Sequence, residues 1–265
     1  MSQFATLIGI AFAAAAASGL TGPAHADGEA TQLAPLGKLR VGVYPGSPLS
    51  LTVNRATGES HGLAHDLGAE LARRLSVPVE YTTYQRVADV LVAMKAGQLD
   101  FTITNATPVR ALDVDFSQPV LSLELGYLVP ARSSIAKADE LDRPGMRIGV
   151  TKGSTSERTL PAKFKNAAIV PAPNLREAID MLNDGRIDIY MTNKPILFEM
   201  ADSMQGARIL DESWGLEYVA IAIPKGREQA MDYLRRFVSD VQANGFLAGV
   251  QKQAGLRGAV AAAPQ

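Results

Sequence analysis

The chain repeats itself, and the repeat limits the folds open to it more than any other feature. Leu39-Arg40-Val41-Gly42-Val43-Tyr44-Pro45-Gly46-Ser47 has an echo in Met146-Arg147-Ile148-Gly149-Val150-Thr151-Lys152-Gly153-Ser154, each a short β-rich run that ends in a Gly-Ser turn. Gly97-Gln98-Leu99-Asp100-Phe101-Thr102-Ile103-Thr104-Asn105 is then echoed, in the same order, by Gly185-Arg186-Ile187-Asp188-Ile189-Tyr190-Met191-Thr192-Asn193. Self-similarity of this kind marks a repeated structural unit. Helical periodicities lie between the echoes. Leu63, Leu67, Leu71 and Leu75 recur every four residues, and Val87, Val90, Leu91 and Met94 follow i, i+3, i+4, i+7 up to Gly97. In the second half Asn174 opens an Asn-x-x-Glu capping box with Glu177, and Leu175, Ala178, Ile179 and Leu182 form an apolar stripe before Gly185. Strand, helix, glycine, strand is a βα unit. Two sets predict an α/β protein of two lobes, each a mainly parallel sheet flanked by helices.

Two lobes need connections. Leu123 to Pro130 and Leu216 to Pro224 are apolar, extended runs closed by Pro, and are expected to be two segments crossing between the lobes. After Pro224 an amphipathic helix using Ala230, Leu234, Phe237, Val238 and Val241 returns the chain to the first lobe. The expected division is therefore residues 36–127 plus 225–257 for the first lobe and 128–224 for the second, with an Ala-rich tail at 258–265 expected to fray. The first 26 residues carry no Lys, Arg, Asp or Glu, and an Ala-rich apolar run from Phe4 to Leu20 is followed by Gly22-Pro23 and Ala24-His25-Ala26. That pattern reads as a signal peptide with a small-x-small cleavage site, predicting export to the periplasm. An uncleaved membrane anchor is the other reading, since the leader lacks a basic start. No later stretch approaches the roughly 18 uncharged apolar residues of a second span.

Composition narrows the function. With 26 Lys plus Arg against 27 Asp plus Glu the net charge is −1, so the chain carries no overall field for a polyanion and is not expected to bind nucleic acid. The absence of Cys removes disulfides, thiol nucleophiles and iron–sulfur clusters. His61 and His65 flank Gly62 without metal-type neighbours, and no Gly-x-Ser-x-Gly, phosphate-loop or dinucleotide fingerprint occurs, so neither a metal nor a cofactor is expected.

In open α/β sheets, ligands sit beyond the carboxyl ends of the strands. The repeat puts matching polar residues there: Thr104-Asn105 and Thr192-Asn193 end equivalent strands, and Ser47 and Ser154 lie in equivalent turns. These residues either line one cleft between facing lobes or only terminate strands and cap helices. Arg110 is the sharpest single candidate. Thr107 has the character of an N-cap, Pro108 suits the first helical position, and Arg110 falls in the first turn, where a cation opposes the helix dipole and needs an anion. That anion is either Asp113, one turn on, or a ligand carboxylate held by the guanidinium. Ser154, Thr155 and Ser156 open another helix as an anion site, or as a capping box closed by Glu157.

The chain resembles the extracellular solute-binding proteins of family 3, the polar amino-acid-binding periplasmic components of ABC importers. The resemblance runs from about Leu36 to Gly255. It is carried by Thr107-Pro108-Val109-Arg110 and then Asp113-Val114-Asp115-Phe116-Ser117-Gln118-Pro119, by Gly62-Leu63 with Asp66-Leu67, by Gly149-Val150 with Gly153-Ser154-Thr155, and by Gly185-Arg186-Ile187-Asp188. It implies a monomeric clamshell that closes on a small carboxylate-bearing solute, an amino acid or a related organic acid, and hands it to an ABC transporter permease. Arg110 is then expected to hold the carboxylate, helped by Ser154 and Thr155 from the other lobe and by Thr104 and Asn105. Three departures stand out. Asn193 occupies the place where the family usually has an Asp for the α-ammonium, and a neutral amide does not supply the charge a buried ammonium needs. Ser47 stands where an aromatic often packs on the ligand, with Tyr44 a substitute. The stretch from Asp100 to Arg110 is about two residues shorter than the common form. These departures predict a solute that carries a carboxylate without having to be a standard amino acid. Some similar proteins are periplasmic cyclohexadienyl dehydratases, in which a Glu after the Gly-x-Thr turn is the general acid; Glu157 sits at a comparable place, so an enzyme is the alternative.

Overall fold

The computed structural model describes Gly28, residues 32–54 and residues 56–260; the expected leader lies outside the described residues. Strand β1 (Leu39–Val43) pairs in parallel with β4 (Val79–Thr83), and a short hairpin of β2 (Thr52–Val53) and β3 (Ser60–His61) lies between them in the chain. Alternate residues of β1 face opposite ways. Val41 and Val43 point to helix α1 (Leu63–Arg74), whose Leu63, Leu67 and Leu71 are buried with them, while Gly42 faces helix α2 (Val87–Lys95). A methyl group on Gly42 would stand 2.4 Å from Leu99 and 2.8 Å from Val90, so the close approach of the helix demands glycine. The second lobe repeats the arrangement. Strand β7 (Arg147–Thr151) runs parallel to both β8 (Ala168–Ala172) and β9 (Ile189–Asn193), with α3 (Thr155–Lys163), α4 (Leu175–Asn183) and α5 (Lys194–Asp202) around them, and Gly149 meets Ile187 as Gly42 meets Leu99.

The sequence repeat has a chemical counterpart. Arg40 donates its amide and Nε to Asp100 Oδ2 and its Nη2 to Oδ1, and Arg147 makes the same three bonds to Asp188. Each pair ties the first strand of a lobe to the turn before its strand-end residues. The copies differ in setting: Asp100 is fully buried and also takes Nη2 of Arg227 at 2.8 Å, whereas the Asp188 pair is open to water.

Two strands join the lobes. Strand β6 (Val114–Val129) and β11 (Gly215–Pro224) pair antiparallel from Leu125 opposite Gly215 to Val114 opposite Pro224. On one side β11 pairs with β5 (Thr102–Asn105), setting Val219 opposite Asn105; on the other β6 pairs with β9, setting Leu125 opposite Asn193. The expected crossing segments are therefore part of one mixed sheet, in the order β5-β11-β6-β9-β7-β8, which runs through both lobes. Short strands β10 (Arg208–Ile209) and β12 (Ala259–Val260) also pair with β6. The second corrects the expectation of a tail frayed from Gly258: residues 259 and 260 gain backbone partners at Leu123 and Ser122, while 261–265 lie outside the described residues. Helices α6 (Met231–Ala243) and α7 (Phe246–Gln253) return to the first lobe, burying Leu234, Phe237, Val238, Val241 and Val250 against its core. Among the described residues no helix is long and apolar enough to cross a membrane.

The lobes are shut on each other. Arg86 Nη1 donates to the Pro173 carbonyl at 3.1 Å across the mouth, and a methyl group on Gly153 would lie 2.5 Å from the Ala88 Cβ.

Candidate functional site

The strand ends converge on a cleft between the lobes, lined by Tyr44, Arg86, Thr104, Asn105, Arg110, Ser154, Thr155, Leu175, Asn193, Ile196 and Glu217 among others. With the lobes shut, the free cavity among these residues is small, about 40 Å³.

Arg110 is placed from its own sequence neighbourhood. Thr107 Oγ1 accepts the Arg110 amide, as an N-cap does, although the segment forms one 3₁₀ turn, Arg110–Leu112, in place of the expected α-helix. The guanidinium is buried, at 6% exposure. Its Nη1 donates to Thr104 Oγ1 at 2.5 Å and to the Asn105 carbonyl at 3.3 Å, while Nε is buried without a partner. Asp113 does not serve it, because that carboxylate holds Lys95 Nζ at 2.6 Å. Burial lowers the Arg110 pKa to about 10, only partly offset by the charge of Glu217, so the side chain remains a cation at neutral pH. A buried cation with an unused donor is a receptor for an anion.

The other expected residues divide. Thr104 and Asn105, both buried, form the wall beside Arg110, and Asn105 Nδ2 reaches across the cleft to Thr155 Oγ1 at 2.6 Å. Ser154 lines the cleft, but its Oγ caps α3 by accepting the Glu157 amide at 3.2 Å. Glu157 in turn accepts the Gly153 amide at 2.5 Å. The expected capping box is thus only half formed, because Glu157 reaches the amide before the N-cap while the Ser154 amide bonds the Thr151 carbonyl, and Glu157 is absent from the lining. Tyr44 lines the wall, with burial raising its phenol pKa. Ser47 does not reach the cleft: it is fully buried in its own turn, accepting from the Leu49 amide and the Tyr44 hydroxyl. Asn193 caps α5, its Oδ1 accepting the Ile196 amide at 3.3 Å.

Sequence reasoning missed Glu217. The β11 strand carries it to the middle of the cleft floor, between the two strand-end asparagines. Asn105 Nδ2 donates to its Oε1 at 3.0 Å and Asn193 Nδ2 to its Oε2 at 3.3 Å. Burial pushes its carboxyl above the ordinary range; the opposite charge of Arg110 and the Asn193 bond offset this in part. One signal was available, a lone carboxylate within an otherwise apolar run between two lobes. Arg86 was also missed, a cation on the lobe edge paired with Asp89 at 3.0 Å. Among the described residues no cluster of three or more His, Cys, Asp or Glu is placed to hold a metal.

Residues 39–255 match the bacterial extracellular solute-binding proteins, family 3. The chain is similar to the ABC transporter glutamine-binding protein GlnH of Bacillus subtilis (strain 168), at 24% identity over 252 residues that cover 92% of this chain and 91% of that protein. It is also similar to the glutamine-binding protein of Geobacillus stearothermophilus, at 28% identity over 193 residues, 71% of this chain and 73% of that one. In three dimensions it is similar to the ancestral amino-acid-binding protein AncCDT-1, a precursor of cyclohexadienyl dehydratase, with a TM-score of 0.74 and 24% identity over 84% of this chain and 98% of that chain.

Proposed function

The chain belongs to the bacterial extracellular solute-binding proteins of family 3, and on that premise we propose that it captures a small carboxylate-bearing solute in the periplasm for an ABC importer. The observation that carries the reading is Arg110, a buried guanidinium with an unpartnered Nε on the wall of a cleft between two lobes. A carboxylate there gains a charge-assisted bond that water cannot match once the lobes close. Closure is favoured only by contacts a solute makes with both sides. Arg110, Thr104 and Asn105 stand on one lobe and Thr155 and the start of α3 on the other, so a solute on Arg110 adds to the Asn105–Thr155 bond already spanning the cleft. The closed monomer is the form presented to the permease. Relatives named for glutamine make amino acids the first solutes to try. The enzymatic alternative draws no support from Glu157, whose carboxylate is engaged by the Gly153 amide and is absent from the cleft lining.

Calorimetry tests this reading. Protein unfolded and refolded free of carried-over solute is titrated with amino acids and with their deaminated carboxylates. Arg110→Ala is expected to weaken binding by about 2–5 kcal/mol, as when one partner of a buried charge pair is truncated. A loss smaller than about tenfold, 1.4 kcal/mol, overturns the role of Arg110.

A further inference from the structure

The cleft holds two opposite charges that do not satisfy each other. Arg110 spends Nη1 on Thr104 and on the Asn105 carbonyl, and Glu217 accepts from the side-chain amides of Asn105 and Asn193; each feels the other's charge, but the two form no ion pair. Neutral amides are thin company for a half-buried carboxylate, and one of these is shared with Thr155. Arg86, the other cation on the wall, also has an unpartnered buried Nε, but its charge is already paired with Asp89 and it donates to the Pro173 carbonyl.

The helix cap fixes how Asn193 meets Glu217. Asn193 Oδ1 must face the Ile196 amide to cap α5, so its Nδ2 points to Glu217 and can only donate. Glu217 Oε2 is therefore an acceptor.

We propose that Glu217 is the ammonium acceptor of this cleft, supplying from the hinge strand the negative charge that Asn193 lacks, so that the solute carries an ammonium beside its carboxylate. The proposal rests on Arg110 holding the carboxylate and deepens that reading. Arg110 and Glu217 line the same cleft and are held by the same residue, Asn105, one through its carbonyl and the other through its side-chain amide, so one solute carrying both charges meets both.

The experiment compares each L-amino acid with its deaminated and 2-oxo analogues, by thermal shift and then calorimetry, on refolded, solute-free protein. In the wild type the best amino acid is expected to bind at least about 100-fold more tightly than its deaminated analogue, the size of effect that follows from leaving a buried charge unpaired. Glu217→Gln keeps the shape and removes the charge. It is expected to weaken the amino acid by at least about 100-fold while changing the deaminated acid by less than about threefold. The double variant Glu217→Gln with Asn193→Asp puts a carboxylate on the neighbouring cap, where Asp also serves α5, and is expected to recover much of the amino-acid affinity. The same double variant reports if Glu217→Gln alone fails to fold. Deaminated acids binding as tightly as amino acids, or a Glu217→Gln protein that keeps the wild-type preference, overturns the proposal while leaving Arg110 as a carboxylate receptor. Binding that ignores Arg110→Ala overturns the carboxylate reading itself, a different result.

Discussion

At the scale of single residues, the chain uses one ion pair twice in two dielectric settings. Asp100 is fully buried between Arg40 and Arg227; burial alone would raise its carboxyl, but the bonds from both arginines outweigh it and hold the carboxyl below its ordinary range. Its twin Asp188 is also held low, against a burial effect of the same sign, by Arg147, yet that pair is substantially exposed. Removing one member of a buried pair leaves a stranded charge, whereas an exposed pair is screened. Urea unfolding is therefore expected to show a loss of about 3–5 kcal/mol for Asp100→Ala and about 1 kcal/mol or less for Asp188→Ala. Because the Asp100 value is depressed by folding, its stabilisation is present above the ordinary carboxylate range and is lost as pH falls through the folded value. Glu217 behaves oppositely. Burial raises it, so its contribution is fully present below the ordinary carboxylate range and is lost as pH rises through the raised value. Glu217→Gln is thus expected to raise the melting midpoint of the solute-free protein at pH 7.5 while weakening solute binding. The gain in midpoint should vanish near pH 4; a gain that persists there would show that packing, and not ionisation, is responsible.

At the scale of elements, helix starts hold the cleft in shape. The Ser154 cap begins α3 and Asn193 begins α5, so these two helices are capped by residues at the cleft itself. Ser154→Ala is expected to cost about 1 kcal/mol in chemical unfolding, the usual value of an N-cap. Glu157→Gln keeps an acceptor for the Gly153 amide and should leave stability within about 0.5 kcal/mol of wild type. The hinge is the other decisive element. Pairing of β6 with β11 fixes which residue of β11 falls between the strand ends, and the register shifts near Ala220 lie on the first-lobe side of Glu217.

For the whole molecule, the proposed function rests on an equilibrium between open and shut lobes. Among the contacts that shut them, the packing of Gly153 on Ala88 lies at the mouth and away from Arg110 and Glu217. Ala88→Leu adds bulk to the surface of one lobe only, so it should leave unfolding free energy nearly unchanged while opposing closure. Solute affinity is expected to fall at least tenfold, about 1.4 kcal/mol of closing free energy. Small-angle scattering should find the solute-mixed variant more extended than the solute-mixed wild type; identical profiles would show that the mouth contact does not limit closure.

Much of this was legible in the chain. The two-lobed plan followed from the repeat, since strand and helix periodicities and the Gly-x-x-Asp turns are local patterns that survive in one dimension. Arg110 was legible for the same reason: Thr107 and Pro108 shape its turn from within three residues. Other roles depended on contacts distant in sequence. Ser47 has the letter of a site residue, but its turn directs the hydroxyl inward to Leu49 and Tyr44. Asn193 read as a lost charge, because nothing nearby in sequence says that a carboxylate stands beside it. Glu217 is set there by two long-range pairings, Asn105 opposite Val219 and Asn193 opposite Leu125, on strands drawn together by the sheet. The sequence by itself determined the repeated units and the cation, because their causes act over a turn of helix or a single strand. Only the tertiary structure decided where the opposing charge stands, because strand pairing across the hinge sets which side chains meet.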